Sequence, residues 1–274
     1  MDKKFEKYSF KKRLSSMVSL DFKRLFMSKF FYIIIGSCLL APVLILIMTQ
    51  MMEGSPMNDQ YGNPILDELG NPVLMEGFKN VWQMLGSVSG ANTGMSMDIT
   101  SMCNINMLYF AITVFVSLFI GQEFKSGYSK NLFTMRSSKK EYIFSKSIVS
   151  SFAGMLMVLA FFLGIMIGGA VSGVTFELVD VNIMNVIMCL LAKLGLVLVF
   201  VGIFVIMSVL GKDKIWLSMI TGFAVSMLLF MMIPMISPLN STIVEVLMSF
   251  VGGLLFIFGL GLVSTKILEK INLV

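Results

Sequence analysis

Chemistry needs side chains that exchange protons, hold metals or act as nucleophiles, and this chain offers few of them. Histidine is absent from its 274 residues, which removes the commonest metal ligand and the side chain that titrates nearest neutrality. Cys38, Cys103 and Cys189 are odd in number, far apart and without a Cys-x-x-Cys pair. They give neither a disulfide framework nor a zinc site and read as small apolar residues of membrane helices. No Gly-x-x-x-x-Gly-Lys-Ser/Thr loop or Gly-x-Gly-x-x-Gly run is present to cradle a phosphate. Without a Ser-His or Cys-His pair, the reading assigns no catalytic, cofactor-binding or metal-ligating residue, and the chain is expected not to be an enzyme. Two features keep chemical interest: Lys193 inside a long apolar run, and a segment at 122–146 dense in charges and aromatics.

The elements that position them are membrane spans. Apolar residues make up 57% of the chain and charged ones 14%, too little polar surface to cover a soluble core. A crossing needs about 20 apolar residues. Six stretches qualify, near 30–52, 101–122, 147–171, 184–210, 215–236 and 246–265, and Lys193 is the one charge within them. The first follows 29 polar and basic residues without a small-x-small cleavage site, so it reads as a permanent span rather than a signal peptide. The expected fold is an all-α membrane protein of six helices, with an arm at 1–29 and a transmembrane domain at 30–274.

Lysine and arginine orient it. Nineteen of the 21 fall in the arm, the loop at 122–146, the link after the fourth span or the C-terminal tail, whereas the opposite side receives Lys79 alone. Both termini are therefore cytoplasmic. The net charge of +5 is membrane topology, and no nucleic-acid partner is implied. Within the arm, Phe10, Leu14, Met17, Val18 and Leu25 share a helical face. That pattern fits an interfacial amphipathic helix with its stripe among lipid acyl chains, or else a solvated basic tail. Asp21 falls inside the stripe and makes it imperfect.

The outer loop at 53–100 repeats Gly62-Asn63-Pro64-Ile65-Leu66 as Gly70-Asn71-Pro72-Val73-Leu74, two turns that suggest a small hairpin-like or irregular cap. Phe78, Val81, Trp82 and Leu85 follow at i, i+3, i+4, i+7 and read as a short helix lying on the outer leaflet. Gly164, Gly168 and Gly169, with Gly252, Gly253, Gly259 and Gly261, permit close helix approach within the subunit or at a dimer seam. Pro234, Pro238 and Asn240 predict a broken or re-entrant hairpin between the last two spans. The 26 methionines fill membrane helices or form a pliable substrate surface.

Segment 122–146 exceeds what a plain connection requires, and its aromatics suit docking of another protein. It reads Glu123-Phe124-Lys125-Ser126-Gly127-Tyr128-Ser129-Lys130-Asn131-Leu132, then Arg136-Ser137-Ser138-Lys139-Lys140-Glu141-Tyr142, and ends at Lys146. With the six spans, basic arm and large first outer loop, it resembles the ABC-2-type transporter permeases. In that family an acidic residue, a Gly a few positions on, a Ser-Arg/Lys-x-x-Tyr element and a Lys lead into the third span. This chain departs in carrying Tyr128 after Gly127, where Thr is usual, and Met135-Arg136 where Pro is common. The resemblance implies an ABC-2, type V exporter-like architecture whose coupling loop, through Glu123, Lys130, Arg136, Ser137, Lys139, Tyr142 and Lys146, docks on a separate ATPase. It also implies two ATPase copies that bind ATP and Mg²⁺, a second six-span permease, identical or homologous, and a multi-pass place in a bacterial plasma membrane. The narrower likeness is to permeases for bacteriocin or lantibiotic immunity and drug resistance.

Lys193 lies about ten residues, or roughly 15 Å, into the fourth span. A lysine near the bilayer midplane marks a functional site by default. It serves either structure, by snorkelling, or the substrate path. A helix carbonyl, the other subunit, an anionic lipid or a substrate carboxylate would each suit it as partner. The spans hold no interior carboxylate, so an ion-coupled carrier lacks its working part and uphill movement needs another polypeptide. The expected function is the permease of an ATP-driven exporter for an amphipathic or hydrophobic substrate: an antimicrobial peptide, drug or lipid-like molecule. The alternatives are a membrane immunity or scaffold protein that sequesters a ligand, and a passive pore.

Overall fold

A computed structural model describes residues 10–58, 61–67, 69–87, 103–134, 139–178, 181–230 and 232–270. Its helices are α1 (Phe10–Met27), α2 (Lys29–Met52), α3 (Leu108–Lys125), α4 (Tyr128–Thr134), α5 (Lys139–Ser172), α6 (Ile183–Gly211), α7 (Ile215–Phe230), α8 (Ile233–Ile236) and α9 (Ile243–Lys270). Among the described residues five helical segments are long and apolar enough to cross a membrane, at 29–52, 105–125, 139–172, 183–211 and 243–270. The sixth, α7, has 16 residues, about 24 Å of helix against a hydrocarbon core of about 30 Å. The sequence extends this span to 236. The helix instead ends at Phe230 and resumes as the single turn α8, with Pro234 in its first turn, because a proline interior to the run has no N–H to continue the ladder. The opposite excess occurs in α5, whose 34 residues reach about 51 Å, so its first turns extend beyond the hydrocarbon on the cytoplasmic side.

The stripe of α1 faces protein. Met17, Asp21 and Leu25, each four apart, are buried against the start of α5, while Leu20, Phe26 and Met27 remain exposed and available to lipid. The glycines of the third span serve internal packing. A methyl on Gly164 would strike the Leu39 carbonyl of α2, and one on Gly168 would come within 2.9 Å of Val43 Cα. Gly195 and Gly253 let α6 and α9 approach in the same way, whereas Gly252 and Gly259 border open space.

The outer cap holds three copies of its repeat. Gly54-Ser55-Pro56-Met57 stands eight residues before Gly62-Asn63-Pro64-Ile65, itself eight before Gly70-Asn71-Pro72-Val73. All three glycines take positive φ, at 77°, 84° and 82°, where a side chain is strained. The fourth residues form a ring: Ile65 N–H donates to the Met57 carbonyl (2.7 Å), Val73 to Ile65 (2.8 Å) and Met57 to Val73 (2.8 Å). Bridges Asn58–Pro64, Leu66–Pro72 and Leu74–Pro56 repeat the same relation, so the cap has pseudo-threefold symmetry. The third copy escapes the sequence because Ser55 replaces Asn.

The turn after the cap differs from expectation. Phe78, Val81, Trp82, Met84 and Leu85 are buried in the bundle, at 5% exposure or less. Val81–Met84 form a 3-10 turn, flanked by Phe78 and Leu85, packed under the outer ends of the helices rather than lying on the leaflet. Their spacing marks a face that avoids water, and such a face meets protein as readily as lipid.

Gly164→Ala should therefore lower the thermal unfolding midpoint in detergent through an overpacking penalty of about 1–3 kcal/mol. Gly252→Ala, facing open space, should leave it unchanged. Equal midpoints for the two variants would contradict the packing.

Candidate coupling site

Where α1, α3 and α5 meet at the cytoplasmic end, the chain buries two carboxylates and a lysine together. Lys146, two turns into α5, places its ammonium 2.5 Å from Asp21 Oδ1 of α1 and bonds Glu123 Oε1 of α3. Asp21 Oδ2 accepts from Ser145 Oγ at 2.5 Å, and Glu123 Oε2 accepts from the Tyr142 hydroxyl at 2.8 Å. Arg24 of α1 also pairs with Glu123 and lies over the Tyr128 ring, 4.4 Å from its centroid. Glu123 and Lys146 are wholly buried, so each charge depends on these partners for the solvation that water would give. The rings of Phe119 and Tyr142 complete the surround of the ammonium, at 4.9 and 5.2 Å.

Local sequence explains the convergence. Tyr142, Ser145 and Lys146, at i, i+3, i+4, share one face of α5. Asp21 and Arg24 share one of α1. After Glu123 the chain turns at Gly127, whose φ of 73° ends α3 and starts α4 without strain. Ser126 and Ser129 hydroxyls donate to the Glu123 carbonyl at 3.3 and 3.4 Å, closing the turn over the cluster. Phe124 and Phe133 meet the Tyr142 ring edge-on at 6.1 and 5.2 Å. A second strap joins Arg13 Nε of α1 to Glu141 of α5 at 2.9 Å.

Of the loop residues singled out from sequence, Glu123, Tyr142 and Lys146 are brought together. Lys139 turns away, donating to the Leu268 carbonyl of α9 at 2.9 Å, and Lys130 is exposed on α4. Arg136 and Ser137 lie outside the described residues. The reading missed Asp21, Arg24 and Ser145. The signal was present in Asp21, a carboxylate at the centre of an apolar stripe, which a helix keeps there when a cation faces it.

Lys193 occupies a separate polar centre in the outer half. Its ammonium donates to Asn106 Oδ1 (2.9 Å), Ser237 Oγ (3.0 Å) and the Ser237 carbonyl (3.4 Å), and the residue is wholly buried. Asn106 lies in the turn that begins the second span and Ser237 follows α8. Neither was read as its partner. Ser237 lies between Pro234 and Pro238, just past the last residue of α8, where the helix has ended.

Residues 17–228 match the family described as ABC-2 family transporter protein. The chain belongs to that family. The match runs from Met17 in α1, through the ion cluster, to Leu228 in α7. No curated protein and no solved structure matches. Membership makes this ABC-2 protein a multi-pass cell-membrane protein, the membrane subunit of an ABC transporter, and among the described residues the five membrane-long helices with the shorter α7 fit six spans in an all-α bundle. The cluster thus belongs to the cytoplasmic end of an ABC-2 permease, where arm, second span and third span are tied to one ammonium.

Lys146→Met should leave Glu123 and Asp21 facing each other with Arg24 as their remaining cation, and so loosen α1. Limited trypsin digestion should then cut at Arg13, Lys23 or Arg24 about tenfold faster, as local opening predicts, with helical content retained. Unchanged protection of α1 would show that the cluster does not hold the arm.

Proposed function

We propose that this chain is the permease of an ATP-driven exporter, moving an amphipathic or hydrophobic substrate such as an antimicrobial peptide, a drug or a lipid-like molecule. A separate ABC ATPase, in two copies, supplies the energy and binds ATP and Mg²⁺. A second six-span permease, identical or homologous, completes the path, and Lys193 marks the route through the bundle. The observation that carries this reading is the ion cluster: it makes α1, the α3–α4 turn and the start of α5 one body beneath the spans. Lys125, Lys130 and Lys140 are exposed on that body, a basic docking face on a rigid support.

Force applied by a partner to such a face moves α3 and α5 together, because separating them breaks both the buried Glu123–Lys146 ion pair and the Tyr142–Glu123 hydrogen bond, leaving Glu123 with Arg24 alone and Lys146 with Asp21 alone as counter-charges. Arg136 and Ser137 extend the docking face in this proposal, while Lys139 anchors it to α9 through Leu268. No histidine, Asp or Glu occurs within α6 or α7, which favours nucleotide-driven over proton-driven movement.

The test is affinity capture of the tagged chain from its native membrane. An ABC ATPase, identified by its Gly-x-x-x-x-Gly-Lys-Ser/Thr loop, should co-purify with the wild type. Lys130→Glu with Arg136→Glu should lower its recovery at least about tenfold, the scale of lost interfacial charge pairs, with α1 still protected from trypsin. Full recovery with the double variant would place the docking face elsewhere, and absence of any ATPase from the wild-type capture would overturn the exporter.

A further inference from the structure

Three chain segments that are not membrane-long helices meet around Lys193. The second span begins there, since Asn106 lies in its opening 3-10 turn, Ile105–Met107. The break after α7 arrives there, bringing Ser237. The outer-loop turn at 78–87 reaches the same level: Leu239 N–H donates to the Ser87 carbonyl at 2.8 Å. A Cβ on Gly86 would lie 3.7 Å from both Cys189 Sγ and the Ser237 carbonyl. The mouth of the bundle above Lys193 is therefore filled by a loop turn and a hairpin, not by spanning helix.

Seams hold this filling to its neighbours. Val81 packs on Gly169 of α5, Trp82 Nε1 donates to the Phe176 carbonyl at 3.1 Å, and Asn185 Nδ2 of α6 donates to the Ser241 carbonyl at 3.0 Å. These are neutral contacts near the rim. Beneath them, among the described residues, lies the buried Lys193 ammonium. Among the described residues no carboxylate pairs with it, and its three protons match its three oxygen acceptors, two of them on Ser237. If the hairpin lifts, Asn106 remains as acceptor and the ammonium loses the rest, an expensive state inside a bilayer. The span keeps its own register meanwhile, because the Tyr109 hydroxyl donates to the Lys193 carbonyl at 3.1 Å.

We propose that Lys193 is the latch of an outer gate: by bonding Ser237 it holds the 232–242 hairpin, and through the Leu239–Ser87 contact the 78–87 turn, closed over the mouth of the permease. Release toward the outside requires the Ser237 bonds to break while the Asn106 bond stays. The word gate rests on the transport reading; the closed state and its latch do not, and the test below needs neither ATPase nor substrate.

Cys189 reports on the closure. It is buried one turn from Lys193, beneath the hairpin, with Sγ 3.7 Å from the Ser237 carbonyl. In right-side-out vesicles the full chain with Cys38→Ala and Cys103→Ala has Cys189 as its sole thiol, open to a membrane-impermeant maleimide from outside when the gate opens. Lys193→Met in this background should label about tenfold faster, equivalent to about 1.4 kcal/mol in the closed–open balance. Loss of a cation beside the thiol would by itself slow alkylation, so acceleration reports access. Ser237→Ala, which removes the hydroxyl but not the carbonyl, should accelerate labelling by a smaller factor. A companion chain keeping Cys38 alone should label no faster with Lys193→Met. Equal Cys189 rates in wild type and Lys193→Met would overturn the latch, as would equal acceleration at Cys38, which would mean general loosening. If Lys193→Met fails to reach the membrane, Ser237→Ala decides, and an unchanged rate there overturns the proposal.

Discussion

An ammonium buried within a helix bundle needs oxygens to replace its hydration shell, and Lys146 takes them from carboxylates on two other helices. The arrangement of the cytoplasmic end follows from that need. Asp21 cannot reach Lys146 unless α1 lies along the start of α5. Glu123 cannot reach it unless α3 ends there and turns at Gly127. Removing an ion from water costs several kcal/mol, which the partner recovers in large part. The stability gained by the cluster is then modest. What it confers is register, since sliding any of the three helices by one turn strands a charge.

The same physics acts differently at Lys193. There the acceptors are neutral, an amide and a serine, and two of the three contacts go to one residue of a broken helix. Hydrogen bonds to a charged group contribute about 1.5–3 kcal/mol each, enough to hold a hairpin yet within reach of a conformational step. The two ends of the permease thus use buried lysines in opposite ways: the inner one welds elements into a body, and the outer one fastens a closure. The glycine contacts of α2 with α5 and of α6 with α9 supply the close-packed walls between them.

The spans were legible in the sequence because hydrocarbon imposes length and composition, and positive charge imposes direction. The proline break before Ser237 was legible too, whereas Glu123, Tyr142 and Lys146, read as members of one loop, lie on α3 and α5. What stayed hidden was which water-avoiding face meets lipid and which meets protein. For that reason Asp21 read as a flaw in an amphipathic stripe when it is the stripe's central contact, and the Phe78–Leu85 pattern read as a leaflet helix when it packs inside the bundle. Partners distant in sequence were equally hidden: Asp21 and Lys146 are held together by tertiary packing of α1 on α5, to which no local pattern points. The cap's threefold relation was half visible, obscured by one Asn-to-Ser difference at Ser55.

That a single ion cluster unites the cytoplasmic elements is tested most directly by a double-mutant cycle of Asp21→Asn and Lys146→Met, read as reversible unfolding free energies in mixed micelles. If the two side chains act through each other, the double variant is no less stable than the weaker single one. The coupling energy then reaches at least about 2 kcal/mol, within the range for contacting charged groups. Additivity of the two single effects to within about 0.5 kcal/mol, the behaviour of independent sites, would contradict it.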